Sequence, residues 1–238
     1  MAIRNDQGIV LRGYPFGDAD RVVVLLSPNH GKLRTVAKGV RKTTSRFGGR
    51  LEPFNHVDLV LYEGRNLDTI TQVSIIDGFP RLRSELQSVV SAGIMVEAAD
   101  AVAQEDETSL RLFLLLQRGL HALEVGVEGN DLVTSFLLKL ATVVGVAPAL
   151  DACAACGRSD GLDRFSFASG GVMCGRCDGE RGVRLKVGLT SYLSALERAE
   201  FRALPPVDPA LTSDALGVAR RFVEYHLDRS LASLAALT

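Results

Sequence analysis

The spacing of apolar residues changes once along the chain, and the change divides it. Through residue 80 the apolar positions fall in short runs with a period near two, the signature of strands. Five are predicted: residues 8–11, the β-branched run 21–26, the alternating segments 32–40 and 57–62, and the Thr/Ile/Val-rich segment 67–76. Turn signals separate them at Pro15-Phe16-Gly17-Asp18, Ser27-Pro28-Asn29-His30-Gly31 and Glu63-Gly64-Arg65-Asn66. Five strands in so short a segment suit a small barrel. The five-stranded OB-fold is the preferred answer and an SH3-like barrel the alternative.

After Phe79-Pro80 the period becomes helical. Helices are predicted over residues 84–104 and 108–125. A third starts from Asn130 as N-cap, with Val133, Phe136, Leu137, Leu140, Val143 and Val144 on one face, and ends at Gly145 and Pro148. Two more are predicted near 190–201 and 213–234, separated by Pro205-Pro206. Residues 151–183 interrupt the helices with glycines, cysteines and short strands. The reading is an α+β multidomain chain: a barrel over 1–80, a helical domain over 81–150 and 184–238, and an insertion over 151–183. The apolar stripes are core, and neither repeats nor low-complexity segments occur.

The insertion holds all four cysteines of the chain, Cys153-x2-Cys156 and Cys174-x2-Cys177. Two cysteines separated by two residues can place both sulfurs on one ion across a tight turn, and two such pairs complete a tetrahedron. Gly157 suits the unusual backbone angle such a turn needs. Residues 164–173 read as a hairpin bringing the second pair to the first. One structural zinc, with no position open for water or substrate, is the preferred reading. Two disulfides, a dithiol redox pair and an iron–sulfur cluster are the alternatives.

Charge adds a second candidate site. The formal net charge is −1, yet residues 1–80 carry 11 Lys/Arg against 8 Asp/Glu and the remainder 16 against 20. Between Arg21 and Leu51 stand eight cations and no acid. Lys32, Arg34 and Lys38 are expected on one strand face, with Leu33, Ala37 and Gly39 opposite. Arg41, Lys42, Arg46 and Arg50 follow in a long loop with Thr43, Thr44, Ser45 and Phe47. Such a cluster calls for an anionic partner, and nucleic acid is preferred. Phe47 is either a stacking partner for a base or an anchor in the core, the anchor being preferred.

Catalytic signatures are missing. His30, His56, His121 and His226 form no ligand pair, Gly31-Lys32 lacks the rest of a phosphate-binding loop, and no nucleophile elbow or dinucleotide turn appears. Asp18 and Asp20 are too few carboxylates for a nuclease metal site. The opening residues are polar too early for a signal peptide, and the longest apolar stretches fall far short of the ~20 residues that span a bilayer. A soluble, cytoplasmic chain is expected.

Four N-terminal strings carry a resemblance: Gly8-Ile9-Val10-Leu11-Arg12; Asp18-Ala19-Asp20-Arg21; the run from Gly31 to Lys42; and Ser45-Arg46-Phe47-Gly48-Gly49-Arg50-Leu51-Glu52-Pro53-Phe54. They closely resemble the bacterial RecO family of recombination mediators over residues 8 to about 80, and beyond that the layout alone agrees. The resemblance implies an OB-fold, a helical domain and a zinc module. It also implies binding of single- and double-stranded DNA, annealing of complementary strands, a nucleoid-associated place in the cell, and work with RecR and the single-stranded-DNA-binding protein. No catalytic residue is implied. The alternative is an adaptor whose basic barrel face docks an acidic protein instead of DNA.

Overall fold

The computed structural model describes residues 2–42, 45–105, 107–178, 182–228 and 230–233. Strands β1 (Ile3–Phe16), β2 (Asp20–Ser27), β3 (Gly31–Ala37), β4 (His56–Tyr62) and β5 (Asp68–Asp77) close into a barrel in the order β1-β2-β3-β5-β4. All pairings are antiparallel except β3 with β5. This five-stranded closed barrel is the expected OB-fold. Helices α1 (Pro80–Ser84), α2 (Leu86–Val102), α3 (Leu110–Glu124) and α4 (Asn130–Val143) follow. Then come β6 (Leu162–Ser166), β7 (Gly171–Cys174), the short α5 (Gly175–Asp178), β8 (Val183–Arg184), α6 (Leu189–Arg198) and α7 (Thr212–Leu227).

The hairpin β1–β2 is buried on both faces. Val10, Val23 and Leu25 point into the barrel with Leu33, Leu59, Leu61 and Ile70. Ile9, Leu11, Val24 and Leu26 point outward and join the core of the helical half. Two-sided burial explains why β2 reads as an unbroken apolar run rather than an alternation. Phe47 and Leu51 close the barrel interior, and Phe47 is 1% exposed. It is therefore the core anchor that was preferred above. The loop is held there by Asn55, whose Nδ2 donates to the carbonyls of Gly49 and Arg50.

Three element expectations shift. The first turn was placed at Pro15–Asp18, but β1 continues to Phe16. By Pro15 the strand has a neighbour on one side only, since β4 leaves it at Ile9, and proline is tolerated on such an edge. Asn130 is the first residue of α4 and Gly129 (φ +94°) its cap. The last helix ends at Leu227, where Asp228 turns left-handed; Leu234 lies outside the described residues.

The barrel is fastened to α2 by charge and by backbone. Asp100 on α2 accepts from Arg12 Nε at 2.7 Å, and Lys32 Nζ lies 3.1 Å from its other oxygen while donating to its main-chain carbonyl. The Lys32 amide donates to the Gln104 carbonyl. Gly31 (φ +66°) lies so close to the segment after α2 that a Cβ there would stand 2.1 Å from the Glu107 carbonyl oxygen. The turn presenting Gly31 is built around the Asp6 carboxylate, which accepts from Ser27 Oγ and Asn29 Nδ2 and pairs with His30 Nδ1 at 2.8 Å.

Burial pushes the carboxyls of Asp6 and Asp100 upward, but hydrogen bonds outweigh it, from Ser27, Asn29 and His30 in one case and from Arg12 and Lys32 in the other. Both end below the ordinary 3.8. A carboxyl depressed by folding contributes stability above its ordinary value and loses it as pH falls through the folded one. Urea unfolding should therefore show a sharp loss of stability below pH 4, part of which disappears in Asp100→Asn. At pH 7 that substitution should lose about 1–2 kcal/mol, less than for a fully buried pair because Arg12 is half-exposed. Gly31→Ala should be worse, since it combines a left-handed angle with a backbone clash. Because the halves share a core, its thermal unfolding should stay one transition at a lower temperature; a transition at the parental temperature would contradict this docking.

Candidate metal centre and nucleic-acid interface

The cysteine module is built on the helical core rather than hung from it. Strand β7 pairs with β6 and bonds on its other edge to the incoming chain, through Val172 N to the Ala149 carbonyl and Ala154 N to the Val172 carbonyl. Phe165 of β6 is buried and packs edge-on against Phe222 of α7, with ring centroids 5.8 Å apart. Asp151 bonds Ser194 and Arg198 of α6, closing the other side.

This frame brings the four cysteines together. The first pair lies on a turn where the Gly157 amide donates to the Cys153 carbonyl, and Gly157 adopts φ +72° as its position required. The second pair spans the end of β7 and α5. All four sulfurs lie within 4.8 Å of one another, with Cys156 and Cys174 at 3.8 Å. A tetrahedron with metal–sulfur bonds of about 2.3 Å has edges of roughly 3.8 Å, so the arrangement fits one metal ion without rebuilding. The Cys174 amide donates to Cys153 Sγ and draws that thiol down to about 6, while hydrogen bonding with Cys156 and Cys174 pushes Cys177 up to about 12. Four crowded sulfurs do not ionise together on their own, and a dication at their centre is what would let them. Among the described residues this is the one group of three or more His, Cys, Asp or Glu side chains able to share an ion.

The cations of the barrel separate into two roles. Lys32 is largely covered and committed to Asp100. The others are exposed: Arg34 at the middle of β3, then Lys38, Arg41, Lys42, Arg46 and Arg50 beyond it. Lys38 was expected on the strand face, but β3 ends at Ala37 and Lys38 begins the turn. Arg34 donates to Tyr14 Oη at 3.0 Å and lies 3.6 Å from Glu105. Arg41 reaches the Gly17 carbonyl, Arg46 lies over the Phe47 ring, and Arg50 bonds the carbonyls of Arg46 and Phe47. Glu105 answers Arg34, while the contacts of Arg41, Arg46 and Arg50 position their guanidiniums without neutralising them. Thr43 and Thr44 lie outside the described residues. Asp20 accepts from the Gly39 amide at 2.7 Å, a structural use that disposes of it as a metal ligand.

Two features escaped the sequence reading. Tyr14 and Phe16 stand on the same outer strand face as Arg12, and Phe16 is 49% exposed. A cavity of about 770 Å³ opens between α3, α4 and the end of α6, with Leu114, Val143 and Phe201 among its apolar walls and Arg111, Arg118 and Arg202 among its cations. No helix of the described residues is long and apolar enough to cross a membrane.

Comparison with known proteins agrees with this geometry along the whole chain. Residues 1–79 match the family model described as recombination protein O N terminal, and residues 83–235 match recombination protein O C terminal. A DNA repair protein RecO of Nocardioides sp. is 40% identical over 236 residues, 97% of either chain. Those of Frankia casuarinae and Thermobifida fusca are 38% and 36% identical, each over 98% of both chains. The chain belongs to the RecO family of DNA repair proteins.

Proposed function

We propose that the protein is a non-enzymatic, cytoplasmic and nucleoid-associated factor of recombinational repair. In this reading it binds single- and double-stranded DNA on its barrel, anneals complementary strands, and works with RecR and the single-stranded-DNA-binding protein. One observation carries it: Arg34, Lys38, Arg41, Lys42, Arg46 and Arg50 are exposed on β3 and the loop after it, and among the described residues none of them but Arg34, 3.6 Å from Glu105, is in an ion pair. Cations left without carboxylates answer to phosphate. Lys32 stands behind this track and sets its base against α2. Annealing then needs no nucleotide hydrolysis, because the surface neutralises both backbones while the bases pair.

Replacing Arg34 and Lys38 together with glutamate should weaken DNA binding on the order of tenfold or more at moderate salt. It should also flatten the log–log salt dependence by nearly two units on duplex and about 1.4 on single strands. The same loss is expected for every sequence, because phosphate contacts carry no base information. Fluorescence anisotropy across a salt series measures both. Parental affinity together with a lost partner protein would hand the face to the adaptor reading. That second reading draws on Arg34 and Glu105, where a carboxylate already meets a cation of this face.

For the cysteine site we propose one structural zinc held by Cys153, Cys156, Cys174 and Cys177. Four thiolates in tetrahedral reach are a zinc donor set and fill its coordination. The freshly purified reduced protein should contain one zinc per chain by elemental analysis. Cys174→Ser should lose most of it and melt at a lower temperature, because structural zinc binding is folding energy, with DNA affinity less affected. A zinc-free protein, or a mass two or four units low from disulfides, would refute the assignment.

A further inference from the structure

We propose that Phe16, at the open end of the barrel's outer face, is a stacking platform for an unpaired base, so that this interface tells single strands from duplex. The inference rests on the DNA-binding reading above and assigns the residue that would give it that preference.

The strand register places the ring. Arg12 pairs with Val24, Tyr14 with Val22 and Phe16 with Asp20, so Arg12, Tyr14 and Phe16 share the outer face of the hairpin. Across β2, Val24 pairs with Arg34 and Val22 with Val36, which carries that face on to β3. The helical half covers its lower part, through Ile9, Leu26 and Val24; above them Val22 and Val36 are still buried, and the face comes out to solvent at Phe16. Tyr14 is half-buried there and immobilised: the Arg12 guanidinium lies 5.8 Å from its ring centroid, and Arg34 donates to its hydroxyl. Phe16 is the next residue up on the same face. It is half-exposed and has no ring or cation contact among the described residues.

The cations come to the ring through the backbone. The Gly39 amide donates to Asp20 Oδ1, the Arg41 amide donates to the Ala19 carbonyl at 3.0 Å, and Arg41 Nη1 reaches the Gly17 carbonyl. These bonds stitch the loop after β3 to the β1–β2 turn. A phosphate-binding guanidinium is thereby fixed against the residue next to Phe16. A rigid aromatic beside fixed cations is what a single strand needs, since its phosphates and its bases can be taken by adjacent groups. In a duplex the base faces are already stacked, so the ring gains nothing from it. A protein partner is the other occupant an exposed phenylalanine can serve. Asp20 stands across from Phe16, accepting from the Gly39 amide, and Asp18 follows in the turn; against them the Arg41 guanidinium is the charge that favours the polyanion.

The chain contains no tryptophan, so Phe16→Trp in the full-length protein installs a single reporter at the site. Its emission should be quenched on saturation with oligothymidylate and little changed by duplex of equal charge, with affinity for the single strand kept. Phe16→Ala should weaken oligothymidylate binding roughly 5- to 100-fold while duplex affinity and both salt slopes stay at parental values. An oligomer of abasic sugar-phosphate should bind parental protein and Phe16→Ala alike. Equal losses on single strand, duplex and abasic strand would make Phe16 structural and overturn the inference while leaving DNA binding intact. Unchanged single-strand affinity in Phe16→Ala would overturn it too. If the parental protein binds none of the three, the DNA reading itself fails and this inference with it.

Discussion

The hairpin β1–β2 has no face to spare for water along its lower half. Val10, Val23 and Leu25 fill the barrel, while Ile9, Leu11, Val24 and Leu26 belong to the helical core on the other side. At about 25 cal/mol per Å² of apolar surface removed from water, exposing four aliphatic side chains would be prohibitive for a barrel of this size. The helices are therefore obligatory partners of the barrel, not a domain appended by a linker. That constraint decides which part of the outer face is left open to solvent, and the candidate interface is what remains.

Electrostatics follow the same division. Where the helices cover the hairpin, Arg12 and Lys32 would be stranded in a half-dry seam, and Asp100 answers both. Beside it Arg34 faces a neutral tyrosine and Glu105 at 3.6 Å, and of the cations after it Arg41 and Arg50 bond carbonyl oxygens. A carbonyl oxygen orients a guanidinium and leaves its charge in place, whereas a carboxylate cancels it. One run of basic residues thus divides into a structural member and a set with its charge still available.

The strands, the helices and the metal-ligand spacing were legible because each is a local pattern: period two, period 3.6, and paired Cys-x2-Cys. The role of Phe47 as an anchor was legible for the same reason, as an apolar residue between glycines and cations. What stayed hidden depends on one extra residue. The register shifts between Val10 and Arg12, where Leu11 is inserted into β1 relative to β2. Strict alternation from the inward Val10 would turn Arg12, Tyr14 and Phe16 into the barrel and Gly13 and Pro15 outward. The bulge reverses that parity for the rest of the strand. Nothing in the sequence marks it, and Pro15-Phe16-Gly17-Asp18 reads more naturally as a turn. The ion pair of Lys32 was hidden for a related reason: its acid, Asp100, is distant in sequence and belongs to a helix whose own polar face gives no hint of the barrel.

The cysteine module obeys the first constraint from the far side of the molecule. Helix α7 must be held against α4, yet the chain between α4 and α6 is long and poor in apolar residues. Leu150, Phe165, Val172 and Leu185 are its buried contributions to the helical core. Four such side chains spread over the segment order it only weakly against its conformational entropy. A metal ion shared by the four sulfurs would close the segment on itself, stiffen the hairpin of β6 and β7, and fix the surface on which Phe165 meets Phe222. Asp151 then needs only to reach Ser194 and Arg198 for α6 to be fixed as well. The sulfur cluster thus adds a cross-link to the apolar contacts the segment makes, and it belongs to the part of the chain that packs against α6 and α7.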